Sequence, residues 1–182
     1  YILIYLFLGF SIMVRSQDHN IDKVADLIDK VIKWQNQQTD HVEKYTRTNW
    51  QFASYYIGVM KAFKATGNKD YQNFLYQVGE NHDWETIPDM YHADKIAIGQ
   101  IYLDLYQQKA EEVMIKNIKW ILDANMLRNK PMPDVRYKNN PYRHEWWSWC
   151  DALFMAPPTF AKMYQITGDV KYLDYAIDHW LV

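Results

Sequence analysis

The chain has 182 residues, 49% of them hydrophobic and 16% aromatic, enough for one domain with a substantial core. Twenty Lys and Arg against 22 Asp and Glu leave a net charge of -2 with no basic block, which argues against a nucleic-acid partner. Cys150 is the single cysteine, so the chain has no internal disulfide and no cysteine-based metal site.

Tyr1 to Val14 form an apolar run interrupted only by Gly9 and Ser11, and a polar stretch from Arg15 to Asn20 follows. The run is shorter than the roughly 20 residues of a spanning helix and reads as the core of a secretory signal peptide. The charged start and initiating Met of such a leader are absent. We therefore expect residues 1–17 to be a partial leader, with export to the periplasm or the extracellular space. No stable membrane span is expected, and the folded domain should occupy 18–182.

Past the leader the periodicity is helical throughout. Ile21, Val24, Ala25, Leu27, Ile28, Val31, Ile32 and Trp34 recur at three- and four-residue steps and predict an amphipathic helix over 19–37. Further helices are predicted over 50–65, 69–82, 92–107, 110–126, 151–165 and 170–182. Segments 52–63, 93–106 and 153–164 are apolar nearly all round, so they predict buried helices alternating with half-exposed ones. No period-2 strand pattern competes.

An internal repeat supports the alternation. Phe63-Lys64-Ala65-Thr66-Gly67-Asn68-Lys69-Asp70-Tyr71 resembles Tyr164-Gln165-Ile166-Thr167-Gly168-Asp169-Val170-Lys171-Tyr172. In each copy a glycine supplies the left-handed residue that ends one helix, and Asn68 or Asp169 caps the next. A weaker joint lies at Gln107 to Ala110. The longer loops, 38–49, 83–91 and 127–150, all precede buried helices, and one rim of long loops is where a site is built. The fold class read from this is all-α, an α/α toroid with three and a half helical hairpins. A closed ring of six hairpins needs about twelve helices. The chain therefore reads as the N-terminal half of one; the alternative is a self-contained solenoid.

Trp146-Trp147-Ser148-Trp149-Cys150-Asp151-Ala152-Leu153-Phe154-Met155-Ala156-Pro157-Pro158 sets one carboxylate among indoles and apolar side chains. Loss of hydration there should raise the pKa of Asp151 and suit it to general acid work, and indole faces suit sugar rings. The alternative is a helix cap. Asp94, in Tyr91-His92-Ala93-Asp94-Lys95, stands at the equivalent place one hairpin earlier. Stacked hairpins would aim both carboxylates into one mouth, as glycoside chemistry requires; stabilisation of a helix start is the alternative for each. His92 and His144 are candidates to hydrogen-bond a substrate, and Trp50 and Trp149 to stack on a sugar. Cys150 reads as a small buried packing residue, with a nucleophilic thiol as the alternative. Pro157-Pro158 predicts a kink or a late helix start that re-aims Asp151.

Trp149 to Pro158 resembles the signature of glycoside hydrolase families 88 and 105, and is closest to 105. His92-Ala93-Asp94 with Ile98-Gly99-Gln100 resembles the other acidic motif of those families, and Trp50 with Tyr56 and Gly58 their first buried helix. The resemblance runs from about Asp18 to the end of the chain. It implies a six-hairpin α/α barrel that hydrolyses unsaturated glucuronyl or rhamnogalacturonyl groups. The substrate would be an oligosaccharide bearing a 4,5-unsaturated uronate at its non-reducing end, left there by a polysaccharide lyase. It further implies protonation of the enol ether at C4, addition of water at C5, and collapse of the hemiketal to release the sugar. Asp151 would serve as acid and then base, with Asp94 as the second aspartate. His144, His92, Trp149, Trp50 and Arg143 would bind substrate, with Arg47 and Lys95 as further partners for the uronate carboxylate. No metal or nucleotide cofactor is implied. The alternatives are another α/α-barrel hydrolase acting on saturated sugars, and a non-catalytic helical sugar-binding or scaffold protein.

Overall fold

The computed structural model describes residues 22–38, 47–87, 89, 91–128, 136, 138–139 and 143–180. The expected leader lies outside them. The chain divides into two compact units at Val42/Glu43. The first contributes one described helix, α1 (residues 22–38), against the 19–37 predicted. Its ladder of Val24, Leu27, Val31 and Trp34 is exposed, and Asp26 pairs with Lys30 one turn on at 3.5 Å.

The second unit contains α2 (Trp50–Thr66), α3 (Lys69–Asn81), α4 (Ala93–Ile96), α5 (Gly99–Lys109) and α6 (Val113–Met126). A 3-10 turn at Arg143–Trp146 follows, then α7 (Ala152–Met155), α8 (Pro157–Thr167) and α9 (Val170–Trp180). All regular elements among the described residues are helical. Helices α2, α5 and α8 lie side by side, and α3, α6 and α9 each fold back on the helix before them. This is the predicted alternation of inner and outer helices. Helix α5 is buried on all sides from Gly99 to Leu105, which is why its sequence carries no polar stripe. Asp104 is the charge among those residues. Lys64 of α2 holds its carboxylate at 2.9 Å and Lys162 of α8 at 2.5 Å, so one buried anion ties three inner helices together. Removing either lysine would leave that charge under-compensated away from water.

The joints follow the repeat. Gly67 (φ 71°) and Gly168 (φ 70°) are left-handed, and each N–H returns to the carbonyl of Phe63 or Tyr164 at 2.8 Å. Asn68 accepts from the Asp70 N–H at 3.0 Å and Asp169 from the Lys171 N–H at 3.1 Å, as predicted for caps. The third joint uses Ala110 at φ 54°, with its N–H on the Tyr106 carbonyl at 2.7 Å. A side chain there tolerates the left-handed region at a cost a glycine avoids.

Two inner helices differ from the continuous rods predicted over 92–107 and 151–165. The second stops at Met155 and restarts with Pro157 as the first residue of α8. Pro157 and Pro158 lack N–H groups, so the Leu153 and Phe154 carbonyls lose their donors four residues on. This is the late restart that the diproline predicts. The first rod breaks at Ala97-Ile98 without a proline. There the Gln100 N–H turns to the Ala97 carbonyl at 3.1 Å, one residue short of the helical partner. Gly99 is packed so closely that an added Cβ would lie 2.5 Å from Ile118 and 2.8 Å from the Thr159 methyl. The outer helix predicted from residue 110 begins at Val113, because Ala110 is occupied in turning the chain.

Candidate active site

The two broken inner helices put short helices α4 and α7 at their heads, and these pack against each other. Between them and the start of α2 opens a cleft of about 360 Å³, lined by Trp50, His92, Ala93, Asp94, Trp147, Trp149, Asp151 and Ala152. Five predicted residues therefore meet here: Asp94, Asp151, His92, Trp50 and Trp149. Arg143 and His144 begin the 3-10 turn, and their side chains lie outside the described part of the structure.

Asp94 stands in the first turn of α4, behind His92 at the N-cap. The His92 Nδ1 accepts the Asp94 N–H at 3.3 Å and lies 3.7 Å from its carboxylate. An Nδ1 that accepts leaves the proton of the neutral ring on Nε2. Lys95 donates to the Asn49 Oδ1 at 2.8 Å, which ties α4 to the residue preceding Trp50. Burial holds the Asp94 carboxyl above the usual carboxylate range. The nearby charges of Asp151 and Asp89 push the same way, while His92 and Lys95 oppose them.

Asp151 occupies the N-cap position of α7 but makes no side-chain cap hydrogen bond, so the capping alternative does not account for it. Its side chain is exposed in the cleft. The burial predicted at Asp151 is found at Asp94 instead. The reason is that the three neighbouring indoles do not enclose Asp151. Trp147, between the other two, has a left-handed backbone (φ 58°). Trp147 is buried, Trp149 is 58% exposed, and Trp146 faces Arg128. Cys150, predicted to be buried packing, is exposed as well.

Two residues of this region were not singled out in the sequence, Trp147, which lines the cleft, and Arg128, which joins the loops before its short helices. Trp147 forms a wall. Its Nε1–H donates to the Tyr91 carbonyl at 3.2 Å, and Phe160, Tyr175 and His179 back its ring. Its position inside the motif was a signal, but three indoles in four residues gave no way to choose among them. Arg128 has its guanidinium 3.7 Å from the Tyr91 ring centroid and 4.5 Å from that of Trp146. It also donates to the Glu145 carbonyl and pairs with the Glu145 carboxylate at 3.6 Å. It thus joins the loop before α4 to the loop before α7. No motif surrounds it.

Against known proteins, the sequence matches the profile of Glycosyl Hydrolase Family 88 over residues 21–182. Of the pair of families read from the motifs, family 88 is the one this match names. The chain is 37% identical over 138 residues to an unsaturated 3S-rhamnoglycuronyl hydrolase of Alteromonas sp. (strain LOR), covering 69% of this chain and 33% of that protein. A protein of the same description from Formosa agariphila is 31% identical over 147 residues, covering 80% and 38%. The match thus spans about a third of the length of these relatives. Among solved structures it is similar to a glycosyl hydrolase family 88 protein from Bacteroides vulgatus (TM-score 0.67, 23% identity, 86% of this chain and 46% of that one). It is equally similar to one described as polysaccharide lyase BACCELL_00875 (TM-score 0.68, 24% identity, 87% and 45%). At these identities the structural likeness establishes the α/α toroid fold.

Proposed function

This chain belongs to glycosyl hydrolase family 88, and on that premise we propose that the full-length protein hydrolyses 4,5-unsaturated uronyl groups from the non-reducing end of lyase-generated oligosaccharides. The observation that carries the reading is the pairing of Asp94 with Asp151 in one indole-lined cleft. Burial holds the Asp94 carboxyl above the ordinary carboxylate range, and the nearby charge of Asp151 adds to this. Asp94 therefore keeps its proton to a higher pH than a lone surface carboxyl would. A proton held in an open cleft is what addition to an enol ether needs.

Asp151 is assigned as the acid on the motif resemblance, and its greater exposure puts it on the substrate side of the pair. It delivers a proton to C4, and the C4=C5 electron pair forms the new C–H bond. The cation left at C5 is shared with the ring oxygen. Asp151, now a carboxylate, takes a proton from water as the water oxygen bonds to C5. The hemiketal then opens and releases the attached sugar. Asp94 and His92 hold the uronate in register, while Trp50, Trp147 and Trp149 offer ring faces to the sugar. Arg143 and His144 remain proposed substrate ligands on the motif resemblance alone.

The test follows the ultraviolet absorbance of the conjugated uronate with an unsaturated disaccharide and the full-length protein. Hydration removes that absorbance, whereas lyase action on an intact polysaccharide creates it. The two activities of this fold are thus read by opposite signs. Asp151→Asn should lower turnover by about 10²–10⁴-fold while substrate still binds. Wild-type turnover in the Asn variant, or release of saturated sugar with no absorbance change, would remove the assignment.

A further inference from the structure

Helices α4 and α7 have four residues each, too few to hold themselves in place by their own hydrogen bonds. Each is cut from the inner helix below it by a break that strips backbone carbonyls of their partners. The Ile96 carbonyl, two residues past Asp94, loses the Gln100 N–H to Ala97. The Phe154 carbonyl, three residues past Asp151, faces Pro158, which has no N–H.

Both gaps are filled, and they are filled crosswise. Thr159, on the α8 side, donates its hydroxyl to the Ile96 carbonyl at 3.2 Å. Gln100, on the α5 side, donates its amide to the Phe154 carbonyl at 2.8 Å and to the Met155 carbonyl at 3.3 Å. Thr159 is fully buried and Gln100 is 5% exposed, so water does not compete for these bonds. Gly99 lets the two strands of this clasp close: a Cβ there would strike the Thr159 methyl at 2.8 Å. Each aspartate-bearing helix is therefore anchored by a side chain of the other hairpin.

We infer that Gln100 and Thr159 are positioning residues whose crossed hydrogen bonds set the separation of Asp94 and Asp151 in the cleft. The inference rests on the reading of those aspartates as the reacting pair. Neither residue lines the cleft; both act through the backbone of α4 and α7. Misplacement of reacting groups by about 1 Å is enough to slow an enzyme by up to about 10²-fold.

The test uses Thr159→Val, which keeps the shape without the hydroxyl, Thr159→Ser, which keeps the hydroxyl, and Gln100→Met, which keeps length without the amide. All are made in the full-length protein. Thr159→Val and Gln100→Met should each lower kcat by up to about 10²-fold with KM changed less than about threefold. Thr159→Ser should restore most of the rate. The second readout needs no turnover: the Asp94 carboxyl is titrated by ¹³C NMR. The charged groups facing it are His92 and Lys95 beside it, Asp89 in the preceding loop, and Asp151 from α7. Only Asp151 lies across the clasp. Loosening the clasp should weaken its push and move the Asp94 titration down, toward the ordinary carboxylate range. Variants that lose thermal stability while keeping both kcat and the Asp94 titration would overturn the inference. A wild-type protein inactive on unsaturated uronides would sink the proposed function, yet leave the NMR comparison able to decide the clasp.

Discussion

Gly99→Ala and Gly58→Ala are the same substitution in two inner helices, and the structure gives them opposite signs. At Gly58, on the exposed side of α2, an added methyl meets nothing within 4 Å. There alanine stabilises by the helix preference alone, about 0.5–1 kcal/mol. At Gly99 the methyl would lie 2.5 Å from the Ile118 Cγ1, 2.7 Å from its Cδ1 and 2.8 Å from the Thr159 Cγ2. Opening the shortest of these to an ordinary contact needs a shift of roughly 1 Å in a close-packed interior. Ile118 has no room to yield, being fully buried in the core. Thr159 is held by its hydrogen bond to Ile96. Overpacking of this kind costs about 1–3 kcal/mol. The helix preference offsets only part of it, because Gly99 opens α5 and is not interior to it. The net expectation is a loss of about 1–2 kcal/mol, against a gain at Gly58. Urea unfolding of both variants in the full-length protein measures the difference. A Gly99→Ala protein as stable as Gly58→Ala would refute the close-packing account and the view that a glycine lets the clasp close.

Two further outcomes follow from the same coordinates. Ala110→Gly places glycine in the one hairpin joint that lacks it, at φ 54°, and should stabilise by about 0.5–1 kcal/mol; an unchanged or lower urea midpoint would contradict the strain assigned there. Asp94→Asn should cost activity but raise stability at neutral pH. Burial holds the folded Asp94 pKa above its unfolded value, so the unfolded chain releases the proton first and ionisation weakens the fold as pH rises from about 4 upward. The two proteins should converge in stability below about pH 3, where Asp94 is protonated in both states. A wild-type protein more stable than the variant at pH 7 would reverse the sign.

The helical alternation, the joints and the placing of both aspartates at the heads of inner helices were legible in the sequence. Each of these is encoded locally: three- and four-residue apolar steps make helices, Gly67 and Gly168 end them, and Asn68 and Asp169 start the next. Pro157-Pro158 also announced its own break, because a missing N–H is a property of the residue. The break at Ala97-Ile98 carried no such mark. Beside it Gly99 is pressed against Ile118 and Thr159, later residues that meet it only when α6 folds back on α5 and the next hairpin packs alongside. The same limit applies to the electrostatics of the site. Indoles adjacent to Asp151 in sequence predicted its burial, but the three indoles take different places and Asp151 is exposed. The desolvated carboxyl is Asp94. Arg128 joins two loops through rings and a carboxylate that no local spacing connects. Hydration, charge coupling and the distance between reacting groups are sums over neighbours in space, and only the tertiary structure decides who those neighbours are.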